Sequence, residues 1–234
     1  MRIATILIAL MMALVATPVL SAQTPATLPA SGPLMQLSLD ELPAEMLVTT
    51  GMVRTIHPAG ASSELSTGSG PSLHYVESGT LTIATSDSVP PLVISTGTPE
   101  AAPSGPDIVV VAGDGFLLAP GTTAEIRNDR AEPAAILDLI AAPDATASLG
   151  EAITREILVS QEVPLPSPTV TVTLSLDTIG PGDRVTFAGE PAITFFAPVD
   201  RSQAFSLSAQ GANRFTDPVA VYILVIAPEA SPPS

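Results

Sequence analysis

The chain has 234 residues, with 23 acidic side chains against 8 arginines and lysines, no cysteine and only 3% aromatics. That length allows one or two domains. The charge argues against nucleic acid or anionic lipid headgroups as partners. The missing cysteine excludes a disulfide framework and lipidation through sulfur, and so few aromatics leave little for stacking sugars or bases. With 25 prolines and 46% apolar residues, the composition fits an all-β chain with many turns better than a disordered one, which needs low hydrophobicity.

Residues 1–22 read as a signal peptide. Arg2 gives a positive start, Ile3 to Ala16 is an apolar run, Pro18 breaks it, and Leu20-Ser21-Ala22 is a small-residue cleavage site. The alternative is an uncleaved anchor, since the run to Leu20 approaches the ~20 residues that span a bilayer. Either way the chain is expected to be secreted or held in the cell envelope. Cleavage leaves 7 arginines against 23 acids, and no lysine. Residues 23–46 are a Pro-rich spacer and lead-in. Within them LSLDELPAEM suggests one helical turn, limited by Pro43.

From residue 47 the pattern turns to β. LVTTGMVRTI is rich in β-branched residues and ends at His57-Pro58. SLHYVE and TLTIAT, joined at Ser78-Gly79, read as a hairpin. PLVIST and DIVVVA are further strands, separated by the loop at 97–106. Gly113 to Asn128 reads as strand, tight turn, strand, with turn signals at Gly113 and Pro120-Gly121. PAAILDLIAAP follows. These short strands, closed by Gly or Pro, suggest a sandwich or barrel over residues 47–143.

In this last motif Gly113 is followed by five residues, a turn position, one residue, Gly121, two residues, Ala124, three residues and Asn128. This spacing resembles the second motif of the cupin superfamily, in which a metal-binding histidine stands where Ala124 stands here. SLHYVESGTLTI resembles the family's first motif. Counted back from Gly79, the slots for its glutamate and two histidines fall on Ser72, Gly68 and Ser66. The resemblance implies a jelly-roll barrel whose four metal-ligand slots hold Ser66, Gly68, Ser72 and Ala124. It therefore implies no metal and no cofactor, and puts the family's metal-dependent activities in doubt.

Residues 144–168 read as a linker in which ASLGEAITREILV is either a short helix or an extended crossover. Residues 169–228 look like an abbreviated second copy of the first unit. DTIGPGD parallels RTIHPAG, PAITFF parallels PSLHYV, and DPVAVYILVIAPEA parallels EPAAILDLIAAPDA, in the same order. The second unit either forms a reduced barrel or completes the first. VAVYILVIA is too short to span a membrane as a helix. Residues 229–234 are a disordered tail. The expected fold is all-β: a cupin-like jelly-roll barrel followed by a shortened second cupin-like repeat.

Strand period two puts Ser72, His74 and Val76 on one face, and in the resembled family that face lines the barrel interior. Ser66, Ser72 and His74 are the candidate ligand contacts. His74 reads most simply as a hydrogen-bonded histidine of the core or cavity, and His57 as an exposed strand-end residue. A metal held at non-standard positions such as His57 and His74 is the enzymatic alternative. Ser72 and His74 could support nucleophilic chemistry only with an acid to orient the imidazole, and none is visible. Glu77 and Glu125 fall out of phase with the inward positions and are expected at the surface. Asn128 reads as closing a turn with its own backbone. The function expected is metal-free binding of a small molecule or partner, with a purely structural envelope role as another alternative. A dimer is compatible with all three.

Overall fold

The computed structural model describes residues 31–40, 42–43, 46–86, 90–95, 98–101, 107–183, 192–200 and 217–229. They form an all-β protein of three antiparallel sheets. The largest has the order β13 (Thr154–Pro164), β2 (Leu47–His57), β11 (Ala134–Ala141), β4 (Ser72–Ser78), β9 (Gly115–Leu118), β6 (Leu92–Ser95), β7 (Thr98–Ala101). A five-stranded sheet runs β12 (Thr146–Leu149), β3 (Ser62–Ser66), β10 (Thr123–Arg127), β5 (Thr80–Thr85), β8 (Asp107–Val111). A four-stranded sheet runs β1 (Gly32–Leu39), β14 (Val170–Ile179), β16 (Val219–Pro228), β15 (Ile193–Pro198). No helix among the described residues is long and apolar enough to cross a membrane.

The seven-stranded sheet is the middle layer. On one face Leu73, Tyr75, Leu137 and Leu139 pack with Val172, Leu174, Phe195 and Leu224 of the four-stranded sheet. On the other, Val76, Phe116 and Ile136 pack with Leu81, Ile83 and Ile126 of the five-stranded sheet. This second pair of sheets encloses a jelly-roll-like interior. A strand covered on both faces loses the alternation of a half-exposed strand. That is why five consecutive residues of β4, Ser72 to Val76, are all buried.

Several expectations are corrected. β4 and β5 do not form a hairpin. β4 pairs with β11 and β9, while β5 pairs with β10 and β8, so the chain passes at Gly79 from one sheet to the facing one. A Ser-Gly turn signal is the same for both connections. Gly79 has φ +78°, and a Cβ there would come within 2.7 Å of Ala134 Cβ and 2.8 Å of Pro133 O. The lead-in contains a core strand, β1, which takes in the start of the LSLDELPAEM segment, while residues 41, 44 and 45 of that segment lie outside the described residues. Met35, Leu37 and Leu39 alternate with Gln36 and Ser38 and are buried against β14. The linker read at 144–168 holds two strands, β12 and β13, which extend the five- and seven-stranded sheets. Of residues 169–228, the structure describes 169–183, 192–200 and 217–228. Their described strands join β1 as a separate outer layer. The signal peptide lies outside the described residues, as does all of the tail after Glu229.

The internal repeat has a structural counterpart. The matched segments of the first copy form neighbouring strands in the order β2-β11-β4, and those of the second form β14-β16-β15, with the central member in each case the PAAILDLIAAP-like segment. β13 flanks β2 as β1 flanks β14.

Candidate functional site

The site lies where β4, β11 and β2 face the five-stranded sheet. Ser72 and His74, two residues apart on β4, present their side chains to the same face. β11 lies beside β4 with Asp138 opposite His74. Its inward positions, two apart, are Ala134 and Ile136 in the core and then Asp138. The pairing of β11 with both neighbours shifts between Asp138 and Ile140. Such bulges interrupt a ladder and re-aim the side chain beside them.

The three polar residues are joined end to end. Ser72 Oγ lies 2.8 Å from His74 Nε2, and His74 Nδ1 lies 2.8 Å from Asp138 Oδ1. The Thr55 hydroxyl donates to Asp138 Oδ2 at 3.0 Å. An ionised carboxylate only accepts, so His74 Nδ1 carries the hydrogen and donates it to Asp138. In the neutral ring Nε2 is then bare and accepts the Ser72 hydroxyl. The Ser72 contact with Ile140 O, at 3.4 Å, is the longer of the two open to that hydrogen. The imidazole stacks on Phe116, with centroids 4.6 Å apart and planes 20° from parallel, which holds it in place. Ser72 and His74 are buried, while the Asp138 side chain is 21% exposed. Arg155 Nη2 lies 3.9 Å from Asp138 Oδ2.

These groups border a cavity of about 170 Å³. Besides Ser72, His74, Asp138 and Arg155, it is lined by Thr49, Leu65 and the Ala141–Ala147 turn. A wider cleft of about 250 Å³ lies between β1 and the turn at Ala119-Pro120, with mainly apolar walls and no comparable polar array.

The structure brings Ser72 and His74 together and adds Asp138, which sequence reasoning missed. The available signal was a lone acid in the apolar run ILDLIA, in phase with Ala134 and Ile136. Ser66 is not among the cavity's lining residues. It falls on the opposite face of β3 from Ser63, which is buried, and Leu65, which packs into the interior. Gly68 sits in a loop at φ +64°, against Asp144, and Ala124 is fully buried in the barrel core.

His57 is not exposed. It is fully buried, its Nε2 lies 2.9 Å from Ser63 Oγ, and its carbonyl accepts from Asn128 Nδ2 at 2.8 Å. Burial lowers its pKa from the ordinary imidazole value, against smaller raising effects from the charge of Asp138 and the backbone of Thr55. His57 stands opposite Ala134 on β11, four residues from Asp138, which stands opposite His74. At ~3.4 Å per residue the two histidines are offset by about 14 Å along the strand direction, too far to share an ion. Among the described residues no group of three or more His, Cys, Asp or Glu is placed to hold a metal. Asn128 is a structural residue. It also donates to Glu132 O, and its Oδ1 accepts from the Arg130 amide, closing the turn as expected.

Glu77 is not at the surface either. On the outer face of the middle sheet it takes two 2.6 Å hydrogen bonds from the Arg54 guanidinium and one of 2.8 Å from Tyr222 OH. Arg54 also reaches Glu156 and Val199 O. Burial is the largest single influence and opposes the Arg54 charge, but the hydrogen bonds and charge of Glu77, with the Glu156 hydrogen bond and Tyr222, together outweigh it and hold the guanidinium pKa above its ordinary value. Burial and the Glu77 charge push the Tyr222 phenol upward, so it remains a donor. Sequence period alone placed Glu77 outside the barrel. It could not reveal that another sheet covers that face.

Comparison with family models, with curated proteins and with solved structures finds no match.

Proposed function

We propose that this is an exported, cupin-like protein that binds a small polar molecule, without a metal, in the cavity beside Ser72, His74 and Asp138. The single observation that carries this reading is the juxtaposition of a 170 Å³ space with a buried, hydrogen-bonded polar chain. Ligand sites are typically apolar hollows with a few convergent polar groups that fix orientation. Here Leu65 and the alanines supply the apolar wall. Thr49, Asp138 and Arg155 supply groups that orient a ligand, and the size favours a molecule of few heavy atoms. Arg155 at the rim favours a carboxylate or carbonyl oxygen. The cupin-like spacing of Gly113, Gly121 and Asn128, and the export expected from residues 1–22, complete the reading.

The test is thermal denaturation against short-chain carboxylates, their amides and small sugars. A ligand present at about 100 times its Kd adds about 2.7 kcal/mol, which raises Tm by roughly 5–10 °C in a chain of this size. Ala147→Leu, which fills the cavity, should abolish the shift while leaving the unliganded protein folded. A panel without any shift, or a shift unchanged by Ala147→Leu, counts against this site.

A further inference from the structure

We infer that Ser72 is an activated nucleophile, its hydroxyl polarised by His74 and the imidazole oriented by Asp138, and that it transfers small acyl groups. This rests on the cavity's accepting a small molecule. Three observations carry it. Ser72 Oγ, His74 Nε2, His74 Nδ1 and Asp138 Oδ1 are linked by two contacts of 2.8 Å, and the acid fixes the tautomer that leaves Nε2 free to take the serine proton. All three residues line one cavity, with the Asp138 side chain partly exposed and Ser72 and His74 buried. Finally, the repeat-related strands hold their architecture without it. Ala192, Thr194 and Ile223 stand where Ser72, His74 and Asp138 stand in the first copy, so the strand order does not need these polar groups.

The step balances without a further reactant. The Ser72 oxygen bonds to the acyl carbon of a small ester as its proton passes to His74 Nε2. The bond to the alcohol breaks, and the alcohol leaves with that proton. Water then gives a proton to His74 and attacks the acyl carbon. The bond from that carbon to the Ser72 oxygen breaks, His74 returns the proton to that oxygen, and the carboxylic acid leaves. Ser72 sits within a strand whose backbone is paired on both sides, unlike a nucleophile on a tight turn with spare amides. Stabilisation of the developing oxyanion therefore falls to side chains, and Arg155 and Thr49 both line the space. Such a site is expected to acylate more readily than it turns over. The cavity volume restricts the acyl group to a few heavy atoms.

The experiment is covalent labelling of the whole protein with methanesulfonyl fluoride, a small probe that forms an oxygen–sulfur bond and releases fluoride. Intact mass should show one adduct per chain, and peptide mapping should place it on Ser72. Ser72→Ala should take no label there. Asp138→Asn should label roughly 10²–10⁴-fold more slowly, and the ¹⁵N shifts of the His74 ring should show the hydrogen moving from Nδ1 toward Nε2. Asp138→Glu should recover part of the rate. Phenylmethanesulfonyl fluoride should react more slowly than the small probe. A folded wild-type protein that takes no label at Ser72 overturns the proposal, and so does an Asp138→Asn variant that labels at the wild-type rate. A ligand-induced melting shift without any adduct leaves binding standing and removes the nucleophile. An adduct at Ser72 without a shift from any reversible ligand does the reverse.

Discussion

The strand trios β2-β11-β4 and β14-β16-β15 are two versions of one plan with opposite contents. In the first, the face turned away from the four-stranded sheet carries Ser72, His74 and Asp138, joined by hydrogen bonds and bordering a cavity. In the second, the matched positions are Ala192, Thr194 and Ile223, and the Thr194 hydroxyl is buried with no partner among the described residues. Both trios bury their other face in the same apolar layer. The shared part is therefore what packing requires: apolar side chains at period two, with a central strand entered through a Pro turn. The polar chain is an addition to one copy, and an addition that costs desolvation without being needed for the strand order is best explained by what it does.

The sharpest way to break the comparison is to separate the two copies. Arg54 and Glu77 come from the first, while Tyr222 and Val199 come from the second, and the four meet between the sheets. The side chains of Arg54 and Glu77 are only 12% and 15% exposed. Glu77→Ala leaves the guanidinium buried beside Glu156 alone, and removing one member of a buried pair costs about 3–5 kcal/mol. Tm should fall by roughly 6–20 °C. Glu77→Gln, which keeps an acceptor, should cost less. A fall of under about 2 °C for Glu77→Ala would mean that the outer sheet is held by apolar packing alone.

How much of this was legible in the sequence depends on the surroundings of each strand. Between Leu47 and Pro143 Gly and Pro mark eight of the ten strands, but β3 lies in a run of small and polar residues and β7 falls inside the stretch read as a loop at 97–106, so neither was read as a definite strand. β1 was obscured by Pro33 and Pro43, although the alternation of Met35, Leu37 and Leu39 was present. β12 and β13 are sheet edges with largely exposed side chains, and an edge strand need not show apolar periodicity. The repeat was readable as order but not as architecture, because the pattern of a strand does not say whether its sheet closes on itself or lies on another. At the site, Ser72 and His74 were local, two residues apart. Asp138 arrives from 64 residues away in the chain, and only the pairing of β11 with β4 brings it there.

His57 offers a test of the first copy's interior by pH. Its pKa is lowered in the folded protein, first by burial, so the unfolded chain binds the proton more readily. Stability from this group is then fully present above the unfolded value of ~6.5 and is lost as pH falls from there toward the folded value. The slope contributed is at most about 1.4 kcal/mol per pH unit. Urea midpoints of wild type and His57→Gln, measured from pH 7.5 down to pH 5, should converge as pH falls, because the substituted residue does not take up the proton. Parallel curves would show that His57 is protonated equally in both states.

The smallest expected effect is the most discriminating. Ser72→Ala, His74→Leu and Asp138→Ile together make the inner face of the first copy apolar, as that of the second largely is. Replacing a whole polar network by apolar groups of similar volume is close to neutral, whereas removing one member leaves the others buried without partners. The triple variant should therefore lose no more than about 1 kcal/mol, chiefly from the Thr55 hydroxyl that gave its hydrogen to Asp138. Asp138→Ile alone should lose more, about 1–3 kcal/mol, because His74 Nδ1 is then stranded. Denaturant titration of the two variants decides between the roles. If the triple is the less stable, the Ser72–His74–Asp138 chain is part of what holds the barrel. If it matches wild type while the single variant does not, the first copy carries its polar chain for a purpose other than stability.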